Sequence, residues 1–130
     1  MKLALVVDRD AESVKLVRAI LERSDLAVRS AASTAEALDM IRALHPDIVL
    51  CDIAVPMTEA FAFIRNLRSS PDVNLKKTPV IATTVAYEDI DPRAARAAGF
   101  DVFLRKPLDP DYLPQIVNLL LAASRSAAPQ

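Results

Sequence analysis

Four residues have types and spacing that could do chemistry together: Asp8, Asp52, Thr84 and Lys106. Asp8 follows the apolar run Lys2 to Val7, Asp52 ends the run Ile48 to Cys51, Thr84 closes Pro79 to Thr83, and Lys106 follows Asp101 to Leu104. Each run reads as a strand, and a parallel sheet brings the carboxyl ends of its strands to one edge, where open α/β sheets place their ligand crevice. Two carboxylates, a hydroxyl and an ammonium converging there make a site for a divalent cation and a phosphoryl group. The acids would supply the oxygen ligands that Mg2+ requires, lysine a point charge for phosphate, and threonine a hydrogen-bond donor. Singly, each residue has a plainer role: the acids cap helices, Thr84 satisfies its own backbone and Lys106 is solvated. Four strand ends in register favour the joint site, and no histidine or serine triad fits as well.

The elements that would position these residues follow from two alternating periods. After Lys2 to Val7, Val14, Val17 and Leu21 recur at helical spacing, widened by Leu16 and Ile20. Leu26 to Ala31 is a second strand, and Ser33 and Glu36 stand at capping-box spacing before Leu38, Ile41 and Leu44. Ile48 to Cys51 is apolar throughout, as in a strand buried on both faces. Pro56 stops that segment, a helix around Glu59 to Arg68 carries Phe61, Ile64 and Leu67, and polar Ser69 to Lys77 is a loop. Asp91-Pro92 and Asp109-Pro110 each set a capping acid before a proline suited to the first helical position, and Gly99 closes the helix between them. The last helix carries Leu113, Ile116, Val117, Leu120 and Leu121 on one face. Five βα units imply an α/β fold, a parallel sheet with helices on both faces. The expected folded unit is residues 1–123, with 124–130 a disordered tail.

Composition narrows the function classes. A chain of 130 residues fits one domain that buries roughly two-thirds of its unfolded surface. With 16 basic and 17 acidic residues the net charge is −1, which argues against direct nucleic-acid binding or an anionic membrane partner. No apolar run is long enough to span a bilayer, and the N-terminus lacks a signal-peptide core. The single cysteine, Cys51, reads as a small buried hydrophobe in a reducing cytosol. With one glycine in the chain, no glycine-rich phosphate loop exists. A flavodoxin-like cofactor binder is disfavoured as well, because the loop after strand one is charged and lacks the small residues of a phosphate cradle.

The whole chain, about residues 1 to 123, resembles the CheY-like receiver domain of bacterial two-component response regulators. LALVVDRD is similar to its first strand and acidic corner, PDIVLCDIAVP to its phosphoacceptor segment, PVIATT to its fourth strand with the switch hydroxyl, and GFDVFLRKPL to its fifth strand and Lys-Pro turn. The resemblance implies a (βα)5 doubly wound, three-layer, flavodoxin-like sandwich with strand order 2-1-3-4-5. It implies Asp52 as acceptor of a phosphoryl group from a histidine kinase or phosphotransfer protein, and Mg2+ held by Asp8, Asp52 and the backbone carbonyl of Ala54. It also implies Lys106 on the phosphoryl oxygens, and Thr84 with Phe103 as switch residues. Output would pass through the surface of the fourth helix, fifth strand and last helix to a downstream protein or a second copy, in the cytoplasm. The chain would be a phosphoacceptor, at most catalysing its own phosphoryl transfer and dephosphorylation. It reads as a stand-alone receiver or as a piece of a larger regulator or hybrid kinase.

Departures from the family pattern gather around the site. Arg9 stands where the family carries the acid that touches the metal directly, turning −1 into +1. At about 4 Å, one unit of charge interaction is worth on the order of 4 kcal/mol at an effective dielectric near 20. Metal binding is therefore expected to be weakened or lost, unless Arg9 swings into solvent or Asp10 turns inward as a substitute ligand. Alternatively, Arg9 pairs with Asp52 and stands in for the metal, its planar fork matching a carboxylate. Ala60 replaces a glycine common in the loop after the phosphoacceptor, and β-branched Val85, beside the switch hydroxyl, would narrow access to Asp52. Two functions follow: a phosphoacceptor signalling domain, or a phosphorylation-independent pseudo-receiver that works as an interaction module. Elsewhere, Arg65, Arg68, Lys76 and Lys77 read as a solvated face. His45 is a loop residue, Met57 and Phe61 are loop closure and core, and Arg93, Arg96 and Arg105 are available to an acidic partner or a dimer.

Overall fold

Alternation along each strand decides the layering. In a computed structural model that describes residues 1–54 and 56–126, five strands run parallel in the order β2-β1-β3-β4-β5. They are β1 (Lys2–Val7), β2 (Leu26–Ala31), β3 (Ile48–Asp52), β4 (Val80–Thr84) and β5 (Val102–Arg105). Leu5, Val7, Val49, Cys51, Val80 and Ala82 face one side of the sheet, and Ala4, Val6, Ile48, Leu50 and Ile81 the other. Helices α2 (Thr34–Leu44), α3 (Met57–Arg68) and α4 (Pro92–Ala98) cover the first face; α1 (Ala11–Glu22) and α5 (Tyr112–Ser126) cover the second. The three-layer order expected from the resemblance is the order observed.

Side-chain caps expected from the sequence start the helices, although α5 begins at Tyr112, two residues after the proline expected at its first position. Ser33 Oγ accepts the Glu36 N–H at 3.1 Å, and the Glu36 carboxylate accepts from the Ala32 N–H. Asp91 accepts the Arg93 N–H, and Asp109 those of Asp111 and Tyr112. Helix α5 buries Leu113 and Val117 and packs Ile116, Leu120 and Leu121 beside them. It runs to Ser126, three residues past the end expected for the folded unit; 127–130 of the expected tail lie outside the described residues.

Three readings need correction. The segment read as loop, Ser69 to Lys77, contains one helical turn, Val73–Lys76, capped by Asp72 and burying Leu75; four residues are too few to show a period. Ala60 lies inside α3 rather than in a loop, fully buried in the core, so its methyl group fills space between helix and sheet. Arg68 is not part of a solvated face. Its Nε donates to the Gly99 carbonyl at 2.9 Å, Nη1 to the carbonyls of Lys76 and Thr78 at 2.8 and 2.6 Å, and Nη2 to Asp101 at 2.9 Å. Asp101 also accepts the Val80 N–H at 2.8 Å. This cluster pins α3, the turn before β4 and the α4-β5 connection at the edge where β4 and β5 begin.

Candidate functional site

The opposite edge of the sheet holds the chemistry. Asp8 is buried just beyond β1, where its N–H donates to the Ala31 carbonyl of the neighbouring strand and its Oδ1 accepts the Asp10 N–H at 2.9 Å. Asp52 closes β3, half-buried, with Oδ1 accepting the Ala54 N–H at 3.1 Å. Beyond β5, the Lys106 N–H donates to the Thr84 carbonyl at 2.7 Å, and the Lys106–Pro107 peptide is cis. These backbone ties leave the Lys106 ammonium 2.6 Å from Asp8 Oδ2 and 3.4 Å from Asp52 Oδ2. One cation thus bridges two carboxylates, and the three charges sum to −1.

Thr84 is buried at the end of β4, and its Oγ1 accepts the Ala86 N–H at 3.0 Å. Phe103 is half-buried on β5 and packs against the core face that α3 and α4 cover. Val85 is 73 % exposed. With Ser13, Leu16, Lys106 and Pro107 it lines a cleft of about 280 Å3 beside the site. Asp10 is exposed and caps α1, accepting the Glu12 N–H at 3.1 Å and the Ser13 hydroxyl at 3.0 Å. The Ser13 bond, then the Glu12 bond, hold its carboxyl below the usual range. Arg9 is exposed, and among the described residues the cation beside Asp52 is Lys106 rather than Arg9. Cys51 offers no competing nucleophile. Burial, followed by the charges of Asp52 and Asp8, pushes its thiol up to about 12.

Ser13 is the residue that the sequence reading missed. It lies in the first turn of α1, and its Oγ is 3.3 Å from the Lys106 ammonium. Its signal was faint but present: a hydroxyl three residues after a capping acid returns to the face above the strand ends.

Mg2+ is bound through one or two carboxylates, with water completing its shell, and the Asp8 and Asp52 pair meets that minimum. Among the described residues no third acid joins them, and each of the two already accepts a backbone N–H. The donor set fits Mg2+ as a sparse site, with one oxygen of each carboxylate facing the Lys106 ammonium.

A model of the response regulator receiver domain matches residues 4–118. The chain belongs to the response regulator receiver family. Among curated relatives, response regulator Rre1 of Synechocystis sp. is 34% identical over 125 residues, covering 95% of this chain and 53% of that protein. The chain therefore spans about half the length of that relative. The polar-differentiation response regulator DivK of Brucella ovis is 30% identical over 120 residues, covering 92% of this chain and 96% of its own. Among solved structures, chemotaxis response regulator CheY4 of Vibrio cholerae superposes with a TM-score of 0.80 at 24% identity, over 92% of this chain and 98% of that one. That likeness speaks for the fold alone. Receiver domains as a family are phosphoacceptor signalling domains rather than conventional enzymes. No helix among the described residues is long and apolar enough to cross a membrane.

Proposed function

We propose that this receiver domain takes a phosphoryl group on Asp52 from the phosphohistidine of a histidine kinase or phosphotransfer protein, and passes the change to the face formed by α4, β5 and α5. The observation that carries the reading is the Lys106 ammonium, within 3.4 Å of Asp52 and 2.6 Å of Asp8 at the carboxyl edge of the sheet. A carboxylate oxygen of Asp52 attacks phosphorus. The P–N bond of the donor breaks, its electron pair leaves with the imidazole nitrogen, and that nitrogen takes up a proton. Lys106 shifts from Asp8 toward the incoming oxygens, where its charge offsets theirs. The Thr84 hydroxyl exchanges its bond with the Ala86 N–H for one donated to the acyl phosphate, and Phe103 responds on β5, a two-state change biased by a local charge. Asp8 and Asp52, with the Ala54 carbonyl, would hold Mg2+, which supplies charge neutralisation when bound. The output face would meet a downstream protein or a second copy, in the cytoplasm, without direct contact to nucleic acid.

A second reading, a pseudo-receiver that binds partners without phosphorylation, is favoured by Arg9 in the acidic corner. Treating the protein with acetyl phosphate and Mg2+ and measuring its intact mass separates the two. Gain of one phosphoryl group by wild type, absent in Asp52→Asn, supports the first. An unchanged wild-type mass, with gain restored in Arg9→Asp, assigns the second.

A further inference from the structure

The Lys106 ammonium donates hydrogen bonds to Asp8 Oδ2 at 2.6 Å and Ser13 Oγ at 3.3 Å, and pairs by charge with Asp52 Oδ2 at 3.4 Å. Two of the three partners lie on the side of β1 and α1, and the closest contact is to Asp8, so the cation rests away from the proposed phosphoacceptor. Ser13 is not free to turn. Its only proton goes to Asp10 Oδ2 at 3.0 Å, which leaves oxygen lone pairs facing the ammonium. Asp10 is fixed in turn, because its Oδ1 accepts the Glu12 N–H at the start of α1. The chain of bonds therefore runs from the α1 N-terminus through Asp10 and Ser13 to Lys106.

We propose that Ser13, oriented by Asp10, is a positioning residue for Lys106: it holds the resting ammonium on the α1 side of the site. The inference rests on the reading of Asp52 and Lys106 as the reacting pair only for its functional consequence, since the tether belongs to the resting protein. Asp10 then serves the site through Ser13 and not as a metal ligand. The position of the α1 N-terminus is thereby tied to where the cation waits.

Hydrogen exchange of the Lys106 ammonium, followed by 15N NMR on the full chain without metal or phosphodonor, tests this. Lys106→Arg identifies the signal by its disappearance. The expected result is a resolved wild-type ammonium signal, exchange faster by roughly fivefold in Ser13→Ala, the effect of removing one modest hydrogen bond to a charged donor, and recovery in Ser13→Thr. A role confined to helix capping would move the backbone amides of α1 and leave the ammonium rate unchanged. Equal rates in wild type and Ser13→Ala, or a wild-type ammonium that exchanges too fast to resolve, would overturn the proposal. No phosphoryl transfer enters the readout, so a negative result here leaves the Asp52 reading standing, and the converse holds too.

Discussion

Two cations sit at opposite edges of the same sheet, and their acceptors differ in kind. Arg68, where β4 and β5 begin, donates to three main-chain carbonyls and to Asp101. Lys106, where β1, β3 and β5 end, is held by two carboxylates and a hydroxyl. Carbonyls of a folded backbone cannot turn away to another partner, so a cation held by them is fixed with the fold. Carboxylates and hydroxyls rotate, accept water and take other cations, so a cation held by them can be exchanged. Both clusters join segments distant in sequence, yet the first suits a permanent joint and the second a site whose charge must be rearranged in use.

The largest expected effect falls on the permanent joint. Arg68→Met keeps the aliphatic stem and removes the head, stranding three carbonyls and Asp101. A loss of ~3 kcal/mol is expected in urea unfolding, together with faster alkylation of Cys51, which burial otherwise protects. Phosphoryl gain per folded molecule should not change. A loss below ~1 kcal/mol would break the comparison.

Next comes Gly99, whose φ of +127° lies where side chains are strained and whose added Cβ would meet Arg68 Cγ at 2.7 Å. Gly99→Ala should lower stability by ~2 kcal/mol. Part of that effect comes from the clash with Arg68 Cγ, so the double variant with Arg68→Ala, which removes that atom, should lose less than the sum of the two single variants. Strict additivity would show that the glycine serves only the turn.

The contrast also marks what the sequence made legible. The five strands, the caps at Ser33, Asp91 and Asp109 and the meeting of Asp8, Asp52 and Lys106 were readable, because periodicity and capping are local and a parallel sheet fixes which strand ends share an edge. Arg68 was not. Its partners are backbone carbonyls up to 31 residues away and an acid 33 away, and a carbonyl leaves no mark in a sequence. Ser13 escaped for a similar reason, lying 93 residues from Lys106. At Ala60 the periodicity and the resemblance disagree: the helix read around Glu59 to Arg68 already contains it, the family's glycine puts it in a loop, and the structure sides with the helix, with the alanine on the buried face of α3.

At the exchangeable edge the sharpest substitution is Arg9→Asp, which adds a third carboxylate beside the Asp8 and Asp52 pair. Arg9 is exposed, so solvent screens much of its charge. Even so, Mg2+ affinity by calorimetric titration should rise roughly tenfold, with the gain shrinking as salt increases. An unchanged affinity would mean that the corner lies too far from the carboxylates to matter, and that Lys106 alone sets the competition with the metal.

The smallest effect belongs to a third cation. Arg105 Nη2 lies 2.5 Å from Glu88 Oε1, closer than either cation discussed above comes to its acids, yet both side chains are more than half exposed. Distance therefore ranks this pair first, whereas burial and acceptor type rank it last. Water competes for both partners, and ordering two long side chains opposes the attraction, so Glu88→Gln should change stability by under ~0.5 kcal/mol, less still in high salt. A loss above ~1 kcal/mol in urea unfolding would show that geometry outweighs solvation in this protein. The proposed division between a fixed and an exchangeable edge would then have to be drawn from distances instead of from what the cations touch.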